Sequence, residues 1–296
     1  MKILGVDFTS APGARKAIAV ARCRMVRGRL HLEALEALRS FDAFERLLAE
    51  PGPWIGGFDF PFGLPREMVR DLGLPDRWRT LVERCASLSR CEWRALLDGY
   101  RAGRPHGRRY AHRATDLRAG SSSPMKLVHP PVALMFHEGA VRLARSGVRV
   151  PALAEGDPER IALETYPALL AREIVGRTPY KSDGADSEER RAARRRIVRS
   201  LAFEAPVRLR RRLVEDASGD ALDALLCALQ AARSWQLRAR NFGLPAAVDP
   251  VEGWIAGSPA AKPPSAMRRG PRAHAAVRPD TLSGARKKMH RCISSS

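Results

Sequence analysis

Five acidic residues stand where this 296-residue chain could do chemistry. Three of them close short apolar runs: Ile3-Leu4-Gly5-Val6-Asp7, Trp54-Ile55-Gly56-Gly57-Phe58-Asp59 and Ile161-Ala162-Leu163-Glu164. Each is followed within a few residues by a proline, Pro12, Pro61 or Pro167. An apolar run closed by Gly/Pro punctuation reads as a buried strand, and in an open α/β sheet ligands gather beyond the carboxyl ends of the strands. The other two acids, Asp220 and Asp223, open a helical stretch. On a helical wheel Asp223, Ala224, Cys227 and Ala231 share the side of Asp220, with Leu222, Leu225, Leu226 and Leu229 opposite. A helix apolar nearly all round is a buried one, and a stripe of small residues lets it lie close to a sheet, bringing its acids toward the strand ends.

Carboxylates gathered without a cation repel one another, by roughly 4 kcal/mol for two charges ~4 Å apart at an effective dielectric of ~20. A divalent cation reverses that sign. Mg²⁺ takes carboxylate oxygens while retaining waters, and paired ions ~4 Å apart can clamp an in-line phosphoryl displacement. The expected chemistry is therefore Mg²⁺- or Mn²⁺-dependent phosphodiester hydrolysis, which needs no serine or cysteine nucleophile. In this reading Asp7, Asp59, Asp220 and Asp223 hold metal, while Glu164 ligates it or positions the water. Each acid also has a structural alternative. Asp7 and Asp59 are placed to form turns, Asp220 to complement a helix dipole behind a Ser218 cap, and Glu164 to pair with an arginine such as Arg172. Asp223, deeper in its helix, has the weakest alternative of the set.

The elements that must position these acids are legible in outline. Residues 1–38 read as three strands, the first ending at Asp7, the second over Ala17–Met25 and the third over Leu30–Leu38, with a hairpin turn at Gly28. A helix over Phe41–Glu50 follows, then the strand ending at Asp59, the opening order of a ribonuclease H-like mixed sheet flanked by helices. Residues 76–150 read as a basic insertion, with a helix over Val132–Arg145. Pro167 suits the first position of a helix, and further helices are expected over Ser187–Leu201 and Ala221–Leu237. The segment Pro245–Gly257 closes a domain of residues 1–257. Residues 258–296, biased to Pro, Ser, Arg and Lys without periodicity, read as a disordered tail.

The net charge is +20, from 52 Lys+Arg against 32 Asp+Glu. Such an excess fits a polyanion partner, and nucleic acid is the commonest. The tail, with nine Lys/Arg and one acid, leaves +12 for the rest of the chain. Within the insertion, Arg104, Arg108, Arg109, Arg113 and Arg118 are interleaved with Tyr100, Tyr110 and His112, a mixture suited to phosphates and bases or simply to a solvated basic loop. Arg109, Arg113 and Lys126, with Trp254, are the candidate substrate contacts, and Glu252 is expected beside Trp254 in the pocket wall.

Other chemistries find little support. The five cysteines are scattered without a CxxC pair, which argues against a disulfide framework or zinc site and for a cytoplasmic protein. No secretory leader pattern or apolar run of membrane-spanning length is apparent. His106, His112, His129 and His137 lack zinc-binding spacing, and neither Walker A nor GxGxxG is present. Gly5-Val6-Asp7-Phe8-Thr9-Ser10 loosely resembles the phosphate-binding hairpin of sugar kinases and actin-like ATPases. An ATP-using phosphotransferase is thus one rival reading, and a non-catalytic nucleic-acid-binding module, with structural acids, is another.

The segments GVDFTSAP (5–12), GGFDFPFGLP (56–65), ALETYPALLAR (162–172), GDALDALLCALQAAR (219–233) and VEGWI (251–255) resemble domain-of-unknown-function family 429, described as predicted ribonuclease H-like nucleases. The resemblance implies an active site of Asp7, Asp59, Glu164 and Asp223, with Asp220 nearby. The Asp220/Asp223 spacing is also similar to the final acidic pair of Holliday-junction resolvases.

Overall fold

A hairpin begins the chain. Strands β1 (Lys2–Asp7), β2 (Ile18–Val26) and β3 (Arg29–Leu38) are antiparallel neighbours. The β2–β3 turn puts both Arg27 and Gly28 at positive φ, 48° and 80°, the geometry a two-residue hairpin needs to match strand twist. The Ser40 hydroxyl caps helix α1 (Phe41–Leu48), accepting from the Ala43 N–H, and the chain then enters β4 (Trp54–Asp59), parallel to β1. The computed structural model describes residues 1–182 and 184–259.

Between β4 and the next long strand lie α2 (Arg66–Asp71), α3 (Trp78–Ala86), α4 (Arg90–Ala102), α5 (Ala114–Ala119), α6 (Val132–Ser146) and the short β5 (Val148–Arg149). Then come β6 (Asp157–Glu164), α7 (Ala168–Val175), α8 (Glu188–Ser200), β7 (Phe203–Glu204), α9 (Val207–Glu215) and α10 (Asp220–Gln236). The strands form one mixed sheet in the order β5-β6-β4-β1-β2-β3-β7, with β2 alone running against the rest. The chain is an α/β protein, as its sequence indicates. No helix among the described residues is long and apolar enough to cross a membrane.

Side-chain alternation along β1 divides the core in two. Leu4, Val6 and Phe8 face one layer, joined by Phe44, Phe58, Trp78, Trp93 and Phe136, so residues 76–150 supply much of the cover on that face. Both insertion tryptophans are pinned as well as buried: Trp78 Nε1 donates to Phe62 O (2.6 Å) and Trp93 Nε1 to Ala133 O (3.0 Å). Ile3, with Ile55, Ile161 and Leu163, faces the other layer, built from α7, α8, α9 and α10.

The insertion is less of a solvated basic arm than its composition suggests. Arg101 pairs with Asp98, and Arg104 donates to Glu67 and to the Tyr100 hydroxyl. Arg108 and Arg109 remain exposed. The basic tail falls on residues 260–296, apart from its first two, and so lies outside the described residues.

Candidate metal centre

Asp7 and Asp59 end adjacent parallel strands and sit directly opposite each other in register. Gly5 and Gly57 lie two residues earlier and therefore on the same face. These glycines admit α10. A Cβ on Gly5 would stand 1.9 Å from Ala224 O and 2.4 Å from Ala228 N, and one on Gly57 would stand 2.4 Å from Cys227 O. Only hydrogen fits between strand backbone and helix backbone at these positions. Ala224, Cys227 and Ala228 form the contact stripe, and the helix so seated brings Asp223 to the two strand-end acids.

Carboxylate oxygens of Asp7, Asp59 and Asp223 lie within 4.8 Å of one another. Asp223 is fully buried, while Asp7 and Asp59 are half-buried. Burial first, then the nearby Asp223, pushes the Asp7 carboxyl well above the usual aspartate range. Burial likewise raises Asp59 to about 7, with Asp223 and Glu164 adding to the rise and Lys181 opposing it. Three clustered carboxylates short of positive charge form a hard-oxygen donor set suited to a divalent cation.

Two residues not anticipated from the sequence complete the site. Tyr180 donates its hydroxyl to Asp223 Oδ1 at 2.6 Å, and the Lys181 ammonium bonds Asp223 Oδ2. The Lys181 side chain is 49% exposed, and its charge also reaches Asp7 and Asp59. Burial and the Asp223 charge push the Tyr180 hydroxyl up, so it remains a donor. One signal was available: only seven of the 52 basic residues are lysines, and two of those, Lys16 and Lys181, meet the two acids of the first turn of α10.

Asp220 stands apart from the cluster. It bonds Lys16 Nζ at 2.8 Å, and Asp216 rather than Ser218 takes the main capping role, accepting from the Ala221 N–H at 2.8 Å.

Glu164 differs for a reason of register. It pairs across β6 and β4 with Phe58, not Asp59, and in-register partners project to the same face. Glu164 therefore starts toward the layer that holds Phe58; it shares a cavity lining with Asp59 but is not among the three clustered donors. There it pairs with an arginine, as its structural alternative had it, but with Arg113 rather than Arg172. Arg113 donates to both Glu164 oxygens, at 2.6 and 2.8 Å, to Asp116, and to Glu252 O. Glu164 also accepts from the Phe62 N–H at 2.9 Å, tying it to the loop after Asp59. Arg113, 2% exposed, is thus an interior ion-pair residue rather than the surface phosphate contact its neighbours suggested.

The remaining expected contacts scatter. Glu252 accepts from the Arg66 and Ala114 N–H groups at the starts of α2 and α5. Trp254 packs partly buried against the α10 layer, with no hydrogen-bond partner for its Nε1. Lys126 is partly buried on the insertion, and Arg109 is exposed.

No curated protein and no solved structure matches the chain. A family model does, and its span takes in all five acids while leaving VEGWI outside. The chain belongs to the family described as protein of unknown function (DUF429), whose model matches residues 5–246.

Proposed function

We propose that this protein is a divalent-metal-dependent nuclease, hydrolysing phosphodiester bonds in DNA or RNA. The observation that carries the proposal is the convergence of Asp7, Asp59 and Asp223 from two strand ends and one helix, with carboxylate oxygens within 4.8 Å and Lys181 against Asp223. The arrangement of β3, β2, β1, β4 and β6, antiparallel only at β2, agrees with a ribonuclease H-like reading. The excess of basic residues suits a polyanionic substrate.

Asp7, Asp59 and Asp223 would hold Mg²⁺ or Mn²⁺, which when bound lowers the pKa of its water and offsets charge on the phosphoryl oxygens. Tyr180 orients Asp223 through its hydroxyl. Lys181, half exposed on a flexible stem, is placed to exchange its aspartate partner for a phosphate oxygen. Glu164, in the same cavity lining as Asp59, fixes the Pro61–Phe62 loop through its bond to the Phe62 N–H. The test is cleavage of single- and double-stranded DNA and RNA in Mg²⁺ or Mn²⁺, with EDTA and the Asp7→Asn variant as controls. Metal-dependent cleavage lost in the variant is expected. Nucleotide binding without cleavage would favour the phosphotransferase, and metal-independent nucleic-acid binding alone would favour the non-catalytic module.

A further inference from the structure

A cavity of about 280 Å³ adjoins the aspartates, with Asp59 and Lys181 in its lining. Its walls are mostly apolar: Phe60 and Pro61 follow β4, Val132 and Met135 share one face of α6, and Tyr166 follows β6. The volume falls just below the roughly 300–1,000 Å³ typical of small-molecule pockets, enough for one ring system and too little for a stacked pair.

Two features mark it as more than a packing gap. Two serines, Ser121 and Ser122, both partly exposed, line the cavity beside its apolar walls. Hydroxyls both donate and accept, so they suit a ligand that brings a polar edge. The second feature is order. Gln230 clamps the Tyr166 backbone in both directions, accepting from its N–H at 2.9 Å and donating to its O at 2.7 Å. The Arg172 guanidinium sits 5.3 Å from the Tyr166 ring centroid. An aromatic ring held in this way costs little to stack against.

We infer that this cavity receives a single unstacked nucleobase, placing the adjoining phosphodiester at the three aspartates. The inference rests on the nuclease reading and narrows its substrate to single-stranded or frayed nucleic acid, because a paired base would first have to leave its stack. A base offers both the flat apolar faces that the walls accept and a polar edge for the serine hydroxyls.

The test compares, in Mn²⁺, a single-stranded oligonucleotide with an oligomer of the same length carrying abasic sites throughout. At least ~10-fold higher kcat/KM for the base-bearing strand is expected, the scale of one base–aromatic stack. Met135→Trp, which fills the cavity, should bring the two substrates to parity while Mn²⁺ binding, followed by calorimetry, is unchanged. A second measurement needs neither cleavage nor a variant: in Ca²⁺, deoxyadenosine 5′-monophosphate should bind at least ~10-fold tighter than deoxyribose 5-phosphate. Equal cleavage of both strands, or equal binding of the two phosphates, would overturn the base cavity and leave the nuclease reading standing. Absence of cleavage of any strand, with base-selective binding retained, would overturn the nuclease reading alone.

Discussion

Two buried acid clusters border one cavity beyond the strand ends, and they are built on different plans. In one, Arg113 is fully enclosed and spends its donors on Asp116, Glu164 and a carbonyl. Two carboxylates share one guanidinium whose planar fork matches them, the arrangement for which arginine is suited. In the other, among the described residues, three aspartates face one half-exposed lysine, a compact point charge on a mobile stem. The first cluster is satisfied and closed. The second is underneutralised and open at its cation. Burying a carboxylate is costly in either place, so the cluster left short of positive charge is the one where a further cation has something to gain.

Breaking each cluster should therefore have opposite consequences. The largest effect is expected at the closed cluster. Arg113→Met leaves Glu164 and Asp116 buried without their partner and should destabilise the fold by about 3–5 kcal/mol, measured by urea denaturation with and without metal. A variant as stable as the parent would show that the network holds nothing.

At the open cluster the loss should be catalytic instead. Asp59→Asn should lower metal-dependent cleavage at least ~100-fold, the scale for removing a principal electrostatic element. In EDTA the same variant should melt higher than the parent, by the equivalent of about 1 kcal/mol after screening, because a repulsion is relieved. It should also gain less from Mg²⁺. A lower melting temperature in EDTA with an undiminished metal response would remove Asp59 from the site.

The same contrast has a pH signature. Asp59 is raised from 3.8 to about 7 in the fold, so between those values the folded state retains a proton that the unfolded chain has released. Stability conferred by the protonated acid is then present at low pH and lost as pH rises through about 7. The melting advantage of Asp59→Asn over the parent in EDTA should accordingly grow across this window, and Mn²⁺ affinity of the parent should rise over the same range. A flat difference would mean that Asp59 titrates normally.

Smaller effects sharpen the role of the lysines. Lys181→Met removes the cation that shares Asp223, so Mn²⁺ binding measured by calorimetry should tighten while the metal-free protein melts lower. Unchanged affinity would place Lys181 outside the metal's competition. Asp220→Asn breaks a partly exposed pair with Lys16 worth up to about 1 kcal/mol, and its effect on cleavage should be well below that of Asp223→Asn.

The sequence exposed the strands, the apolar helix and its acids because each carries a local signal: a run closed by Asp, or a stripe of small residues. It did not expose parity between strands. Asp59 and Glu164 end similar runs, yet a one-residue offset in their pairing starts them toward opposite faces, and no run read alone contains that offset. Arg113 was misread for a related reason, since its neighbours in sequence are exposed arginines while its neighbours in space are acids from β6 and α5. Tyr180 and Lys181 sit on a connection between helices with no periodic pattern to mark them. The short β5 and β7 were missed because two-residue strands are defined only by the partners they find.

The glycine contacts beneath α10 bear on how such a site can drift over time. Where helix and strands meet as bare backbone, no side chain sets their separation, so the span between the carboxylates is governed by covalent dimensions rather than by how well a particular core is packed. Leucines on the far side of the helix can be exchanged for other apolar residues without retuning the distances between the three carboxylates. The carboxylate geometry would survive such changes, so under the proposed function the rest of the protein could diversify while the donor set stays fixed.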